Sequence, residues 1–194
     1  MGQKGEAIRQ RIVAAADQLF YQRGYEHTSF SDIADAVGIS RGNFYYHFKT
    51  KDEILNAVID TRVDQIQKML DTWTCEYTDP QQRILHFIDI LTNNQENIKS
   101  HGCPVGSLCT ELAKLSHKML QDANVMLVVM RDWLTEQFRA LGMGTDARKI
   151  AMHLLARSQG IATITNAFED QQFLHQEVKR LRQWLDEVIT QYAN

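Results

Sequence analysis

The 194-residue chain has only two prolines, ten glycines and three cysteines, and no stretch in which apolar and polar residues alternate for long. Each shortage excludes something. Without a two-residue period there is no signature of half-buried strands, so helices should build the fold and the fold class is all-α. Cys75, Cys103 and Cys109 are too few, and odd in number, to make a disulfide framework. The longest purely apolar run, Val125 to Met130, is far short of the ~20 residues a membrane span needs, so no membrane partner is expected. The opening MGQKGEAIRQR lacks the apolar core of a secretory signal, and the expected location is cytoplasmic. A basic excess is also missing. The net charge is −3 and the pI about 6.2, which argues against indiscriminate nucleic-acid binding.

Catalytic signatures are lacking as well. The sequence offers no activated serine, no phosphate loop and no pair of carboxylates in a distinctive context, so neither an enzyme nor a cofactor is expected. His86, His101, His117, His153 and His175 show no two-ligand spacing joined to a third ligand, so no metal site is expected.

What is present is a succession of helical patterns. Ile8, Ile12, Ala16, Leu19 and Phe20 recur at helical spacing up to Arg23, and Gly24 is a stop signal. Ser31 or Thr28 is the expected cap of a short second helix. Gly38 supplies a left-handed turn residue, and Ser40 caps a third helix that runs through Phe48. Ile33, Ala34, Val37 and Ile39 should close a small core. Two short helices joined by a tight glycine turn are the arrangement that holds a helix against a duplex. In the third helix only Phe44 and Phe48, one turn apart, look committed to the core. The rest, Arg41, Asn43, Tyr45, Tyr46, His47 and Lys49, are side chains that read bases or phosphates. Charge agrees in sign: residues 1–51 carry seven Lys and Arg against five Asp and Glu, a local excess of +2 in a chain of net −3.

Beyond this, a long amphipathic helix from Lys51 to about Trp73 is the natural connector. A helix opened by Asp79-Pro80 runs to about Ile98, and Gly102-Cys103-Pro104 punctuates before Leu108, Leu112 and Leu115. Further helices are expected at about His117–Leu141, Asp146–Phe168 and Gln171–Tyr192.

The N-terminal residues resemble the TetR family of bacterial repressors. The likeness is carried by Ala15-Ala16-Asp17-Gln18-Leu19-Phe20 with Gly24-Tyr25, by Thr28-Ser29-Phe30-Ser31-Asp32-Ile33-Ala34, and by the run from Gly38 to Lys51, GISRGNFYYHFKTK. It covers residues 8–55 closely; beyond them it is one of helix order and length. The resemblance implies a helix-turn-helix domain over residues 1–51 and a helical effector-binding and dimerisation domain over 52–194. It implies that Arg41, Gly42 and Asn43 face base edges of double-stranded operator DNA, and that Tyr45, Tyr46, His47 and Lys51 lie against its backbone. Ser40 opens the same helix. Thr28 and Ser31, at the positive end of the second helix, are placed for phosphates.

The resemblance also implies a homodimer through the last two helices. Ile150, Leu154, Ile161, Ile164 and Phe168 form the stripe on the first of these, and Leu174, Leu181, Trp184, Leu185 and Val188 that on the second; the same stripes could be intrachain core. A small-molecule effector would sit among the middle helices, near Phe87, Leu91, Leu108, Cys109, Leu112, Met126, Met130, Trp133 and His153. Cys103 carries an alternative: a thiol at a helix start is favoured as thiolate, the form that reacts with electrophiles or oxidants. The function expected is a repressor released from its operator by an effector.

Overall fold

In the computed structural model, which describes residues 3–193, ten α-helices and no strands are found among the described residues. They are α1 (Gln3–Arg23), α2 (Phe30–Val37), α3 (Arg41–His47), α4 (Lys51–Glu76), α5 (Pro80–Asn93), α6 (Gln95–His101), α7 (Pro104–Lys114), α8 (Leu120–Ala140), α9 (Ala147–Phe168) and α10 (Gln171–Ala193). A short 3-10 turn, Gly144–Asp146, precedes α9. None of the described helices is long and apolar enough to cross a membrane. The single helix expected from Pro80 to Ile98 is two helices. At Asn94 the side-chain amide donates to the Ile90 carbonyl at 2.9 Å, alongside the backbone amide at 3.1 Å, and this local bonding competes with continuation of the helix.

The chain forms two compact units. One comprises the described residues up to Asp64 together with Ser107–Met126, and the other comprises Gln65–Gly106 with the chain from Leu127 on. The dividing points fall inside α4, α7 and α8, and residues 107–126 share contacts with the N-terminal helices.

In the first unit, Ile12, Ala16 and Phe20 of α1, Ile33 and Val37 of α2, Phe44, and Ile54, Leu55 and Val58 of α4 are buried. Leu108, Leu112, Met119, Ala123 and Met126 complete the interior. Two arginines tie its helices together. Arg11 donates to the Val37 carbonyl at 2.7 Å, satisfying a carbonyl at the end of α2. Arg62, 7% exposed, donates from Nε to the Asp17 carboxylate at 2.6 Å, so the one buried charge of α4 is neutralised by α1.

In the second unit, α5 buries Ile84, Phe87, Ile88 and Leu91, and α10 buries Leu174, Val178, Leu181 and Leu185. The pair is bridged on its outer edge by Arg182 with Asp89 and by Gln81 with Asp186. Asn166 on α9 donates to the Lys99 carbonyl at 2.8 Å, capping the end of α6. The two faces of α9 differ sharply. Ala147, Ala151, Leu154, Leu155, Ser158, Ile161, Ala162 and Thr165 are buried, while Met152, Ile164 and Phe168 are exposed, Phe168 to 74%.

Candidate nucleic-acid interface

The turn between α2 and α3 is built as its residues dictate. Gly38 takes φ +69°, ψ 40°, its amide donates to the Ala34 carbonyl at 3.0 Å, and the Ile39 amide reaches the same carbonyl at 3.2 Å. A residue with a Cβ would be strained in this left-handed conformation. Ser40 then caps α3, accepting the Asn43 amide at 3.3 Å.

The cap of α2 is Ser29, not Ser31 or Thr28. Ser29 Oγ accepts the Asp32 amide at 3.2 Å and the Ser29 amide donates back to Asp32 at 2.7 Å, a reciprocal pair that only Ser29 can make with an acid three residues on. Thr28 is displaced from the expected surface. It is 1% exposed, and its hydroxyl donates to the Gly24 carbonyl at 2.7 Å, closing the turn that follows α1. Ser31 is half-buried and accepts a hydrogen bond from Arg41 Nη2 at 3.0 Å.

Helix α3 is divided lengthwise. Phe44, and Phe48 just past the helix, are each 1% exposed. Phe30 lies against Phe44 at 5.2 Å and Tyr45 at 5.4 Å between ring centres, and Arg9 covers the Phe48 ring at 4.7 Å. The other side carries Arg41, Gly42, Asn43, Tyr45 and Tyr46, all exposed, Tyr46 to 67%. His47 is half-buried beside Tyr46, with its Nδ1 buried and without a hydrogen-bond partner. Two buried rings thus fix the helix on its domain and leave its hydrogen-bonding side chains facing outward.

Lys51 opens α4 and is already engaged. Its Nζ donates to the carbonyls of Tyr25 at 3.0 Å and Glu26 at 3.3 Å, and lies 4.3 Å from the centre of the Tyr25 ring. An ammonium has three donors, and two are used here. Lys51 lines an open cleft of about 390 Å³ with Glu26, His27, Thr28, Ser29, Phe30 and Thr50, beside the first turn of α2.

Behind the cleft lies a polar network that spacing along the chain could not show. Glu111 accepts the amides of Tyr25 and Glu26, both at 2.9 Å. Asp52 accepts the Tyr25 hydroxyl at 2.7 Å, Lys118 Nζ at 2.9 Å and His117 Nε2 at 3.3 Å. The Lys118 ammonium and the Tyr25 hydroxyl hold the Asp52 carboxyl down to about 2. Burial, followed by the bond to Asp52, pushes the Tyr25 phenol well above its ordinary value.

The residues expected around an effector fall in both units. Leu108, Cys109, Leu112 and Met126 are buried in the first; Phe87, Leu91 and Met130 are buried in the second, where Trp133 is half-buried and donates from its indole to Thr74 at 3.0 Å. Cys103 is half-buried immediately before Pro104, where α7 begins. His153 is not among the buried side chains. It is exposed on α9, its ring 5.2 Å from that of Trp184, because it lies a quarter-turn from Met152 on the helix's outer face.

The expected dimer stripe also divides. Leu154, Ile161, Leu181 and Leu185 are buried within the chain. Ile164 and Phe168 are exposed, and Ile150, Trp184 and Val188 are half-buried.

Comparison with known proteins agrees with this geometry. Residues 12–58 match the family described as bacterial regulatory proteins, tetR family. The chain is 28% identical over 184 residues to an HTH-type transcriptional regulator in the lacX 3′ region of Lactococcus lactis subsp. lactis, covering 93% of this chain and 94% of that one. It is 26% identical over 189 residues to the HTH-type transcriptional repressor DhaR of Mycobacterium sp. (strain GP1), covering 94% and 89%. Among solved structures, a TetR transcriptional regulator from Legionella pneumophila is similar with a TM-score of 0.79 and 25% identity over 92% of this chain and 95% of that chain. With its helix-turn-helix in the matched segment and a larger set of helices following it, the chain is similar to TetR-family bacterial transcriptional regulators, closely over residues 12–58 and in fold over most of its length.

Proposed function

We propose that the chain is a repressor that binds a near-palindromic operator as a homodimer and leaves it when a small-molecule or electrophile effector engages its C-terminal half. The observation that carries this reading is the lengthwise division of α3, anchored by Phe44 and Phe48 and exposed along Arg41, Gly42, Asn43, Tyr45 and Tyr46. A B-DNA major groove admits one helix. Arg41 can then donate two bonds to a guanine, Asn43 can pair with an adenine, and Gly42 lets the backbone approach. Tyr45, Tyr46, His47, Lys51 and Ser31 supply donors to phosphates, which set register without reading sequence. Thr28 acts from behind, by holding the turn. The relative DhaR is named a repressor, which favours negative control.

Dimerisation is supported by the outer face of α9. Met152, Ile164 and Phe168 are exposed there, beside the small residues Ala156, Gly160, Thr163 and Ala167. Large apolar side chains flanking small ones let a second helix approach and cover them. A dimer would set two recognition helices about 34–36 Å apart, one DNA turn. A single short helix would bind weakly.

Effector binding among Phe87, Leu91 and Met130 of the second unit would shift α4 and change that separation. A coupling of about 1–3 kcal/mol lowers operator affinity roughly 5- to 150-fold. A second reading uses the thiol. Cys103 stands half-buried immediately before the first turn of α7, and its thiol is the group an electrophile would modify.

The experiment is footprinting on DNA flanking the protein's own gene, repeated with a thiol-reactive electrophile on wild type and Cys103→Ser. Protection of a palindromic stretch supports the operator reading, and retention no better than on unrelated DNA contradicts it. Release by the electrophile in wild type alone assigns the thiol route; equal behaviour of both proteins assigns a reversible ligand.

A further inference from the structure

Both faces of the peptide backbone at Tyr25 and Glu26 are held, and by different helices. Their carbonyls accept from Lys51 of α4, at 3.0 and 3.3 Å, while their amides donate to the two oxygens of Glu111 on α7, each at 2.9 Å. Gly24 makes the approach possible. It has φ +88°, and a Cβ placed on it would stand 2.9 Å from a Glu111 oxygen. From Glu26 the chain runs directly into Ser29, the cap of α2, and residues 26–30 line the open cleft with Thr50 and Lys51. The position of Glu111 therefore bears on the position of the turn and of the cleft edge that follows it.

We propose that Glu111 is a positioning residue for operator binding: its carboxylate fixes the turn between α1 and α2, and its withdrawal with α7 loosens the phosphate-facing edge and weakens the complex. This rests on the operator reading above. It assigns to α7 the contact by which a change in the helix reaches the DNA-binding surface.

A merely structural role is the competing account. Helices α1 to α4 have their own apolar core, from Ile12 and Phe20 to Ile54 and Val58, so loss of one carboxylate should leave them folded. Lys51 would keep its carbonyl partners but sit on a turn no longer held on its other side. Affinity should then fall on every sequence alike, since phosphate contacts carry no base preference.

The test uses Glu111→Ala and Glu111→Gln in the full-length protein, on a duplex chosen by selection with wild type. Amide exchange at Tyr25 and Glu26, melting temperature, operator affinity and its salt dependence are read together. For Glu111→Ala we expect a folded protein with exchange at both amides at least about tenfold faster, affinity lowered within the 5- to 150-fold range of an allosteric contact, and a log–log salt slope smaller by about one phosphate contact. Glu111→Gln keeps one acceptor oxygen and its volume, and should fall between the two. Faster exchange with unchanged affinity and salt slope in both variants overturns the role of Glu111 while leaving the operator reading intact. A lowered melting temperature with full affinity below it does the same. Failure of wild type to select any duplex overturns the operator reading, and the role of Glu111 with it.

Discussion

Arg41 Nη2 donates to the Ser31 hydroxyl at 3.0 Å, so the side chain expected to read a base is tethered across the two helices of the helix-turn-helix motif. The tether is exposed and uses one of five guanidinium donors, leaving the bidentate edge available. Arg41→Ala should relax preference at one base pair of each half-site by about 1–3 kcal/mol while the other positions keep theirs. Selection from random duplexes with both proteins checks this. An unchanged preference removes Arg41 from base readout.

Tyr46 is 67% exposed, and its ring lies beside that of His47. Tyr46→Phe should therefore leave the melting temperature unchanged, with a stability change within about 0.5 kcal/mol. Operator affinity at fixed salt should fall, by the same factor on every sequence bound. Equal affinity of the two proteins would mean that Tyr46 does not donate to a phosphate.

The Tyr25–Asp52 bond gives stability a pH window. Asp52 is depressed to about 2 from an ordinary value of 3.8, so its contribution is present above 3.8 and is lost as pH falls toward 2. Tyr25 is raised from an ordinary value of 10.0, so its contribution is present below 10 and is lost as pH climbs further. Asp52→Asn should melt below wild type at neutral pH, and the gap should close on acidification toward pH 2. Thermal melts of both proteins decide it. A gap that stays constant across the acid range would show that Asp52 is not the titrating group.

Local signals and distant ones were not equally legible. Gly38, Ser40, Phe44 and Phe48 could be placed from sequence because each acts on neighbours within a turn or two: a left-handed stop, a cap, and two rings one turn apart. The cap of α2 was misread because Thr28, Ser29 and Ser31 are chemically alike, and the choice is made by Asp32, which can reciprocate only with Ser29. Glu111 was invisible for a different reason. Its partners lie 86 and 85 residues away in sequence, and a glutamate in an amphipathic helix looks like any solvated charge. The stripes on α9 and α10 showed which residues are apolar but not which side meets its own chain. Leu154 and Leu185 face inward and Phe168 outward, and only the packed helices distinguish them.

That distinction can be tested directly. Phe168→Glu places a charge on the exposed apolar face of α9 and should convert the protein to monomers without unfolding it. Leu185→Ala opens a hole in a fully buried site and should cost about 2–5 kcal/mol of stability. Sedimentation and thermal melts of the two variants separate association from folding. A Phe168→Glu protein that stays dimeric moves the interface elsewhere.

Sequence-selective recognition by a dimer is the central claim, and enrichment of binding sites from random double-stranded DNA, followed by the mass of the complex on the enriched duplex, tests it most directly. The account predicts a near-palindrome whose half-sites are centred about 10 base pairs apart or a multiple of that, with chains bound in pairs. No enrichment, or binding equal on all sequences and abolished by moderate salt, would contradict it.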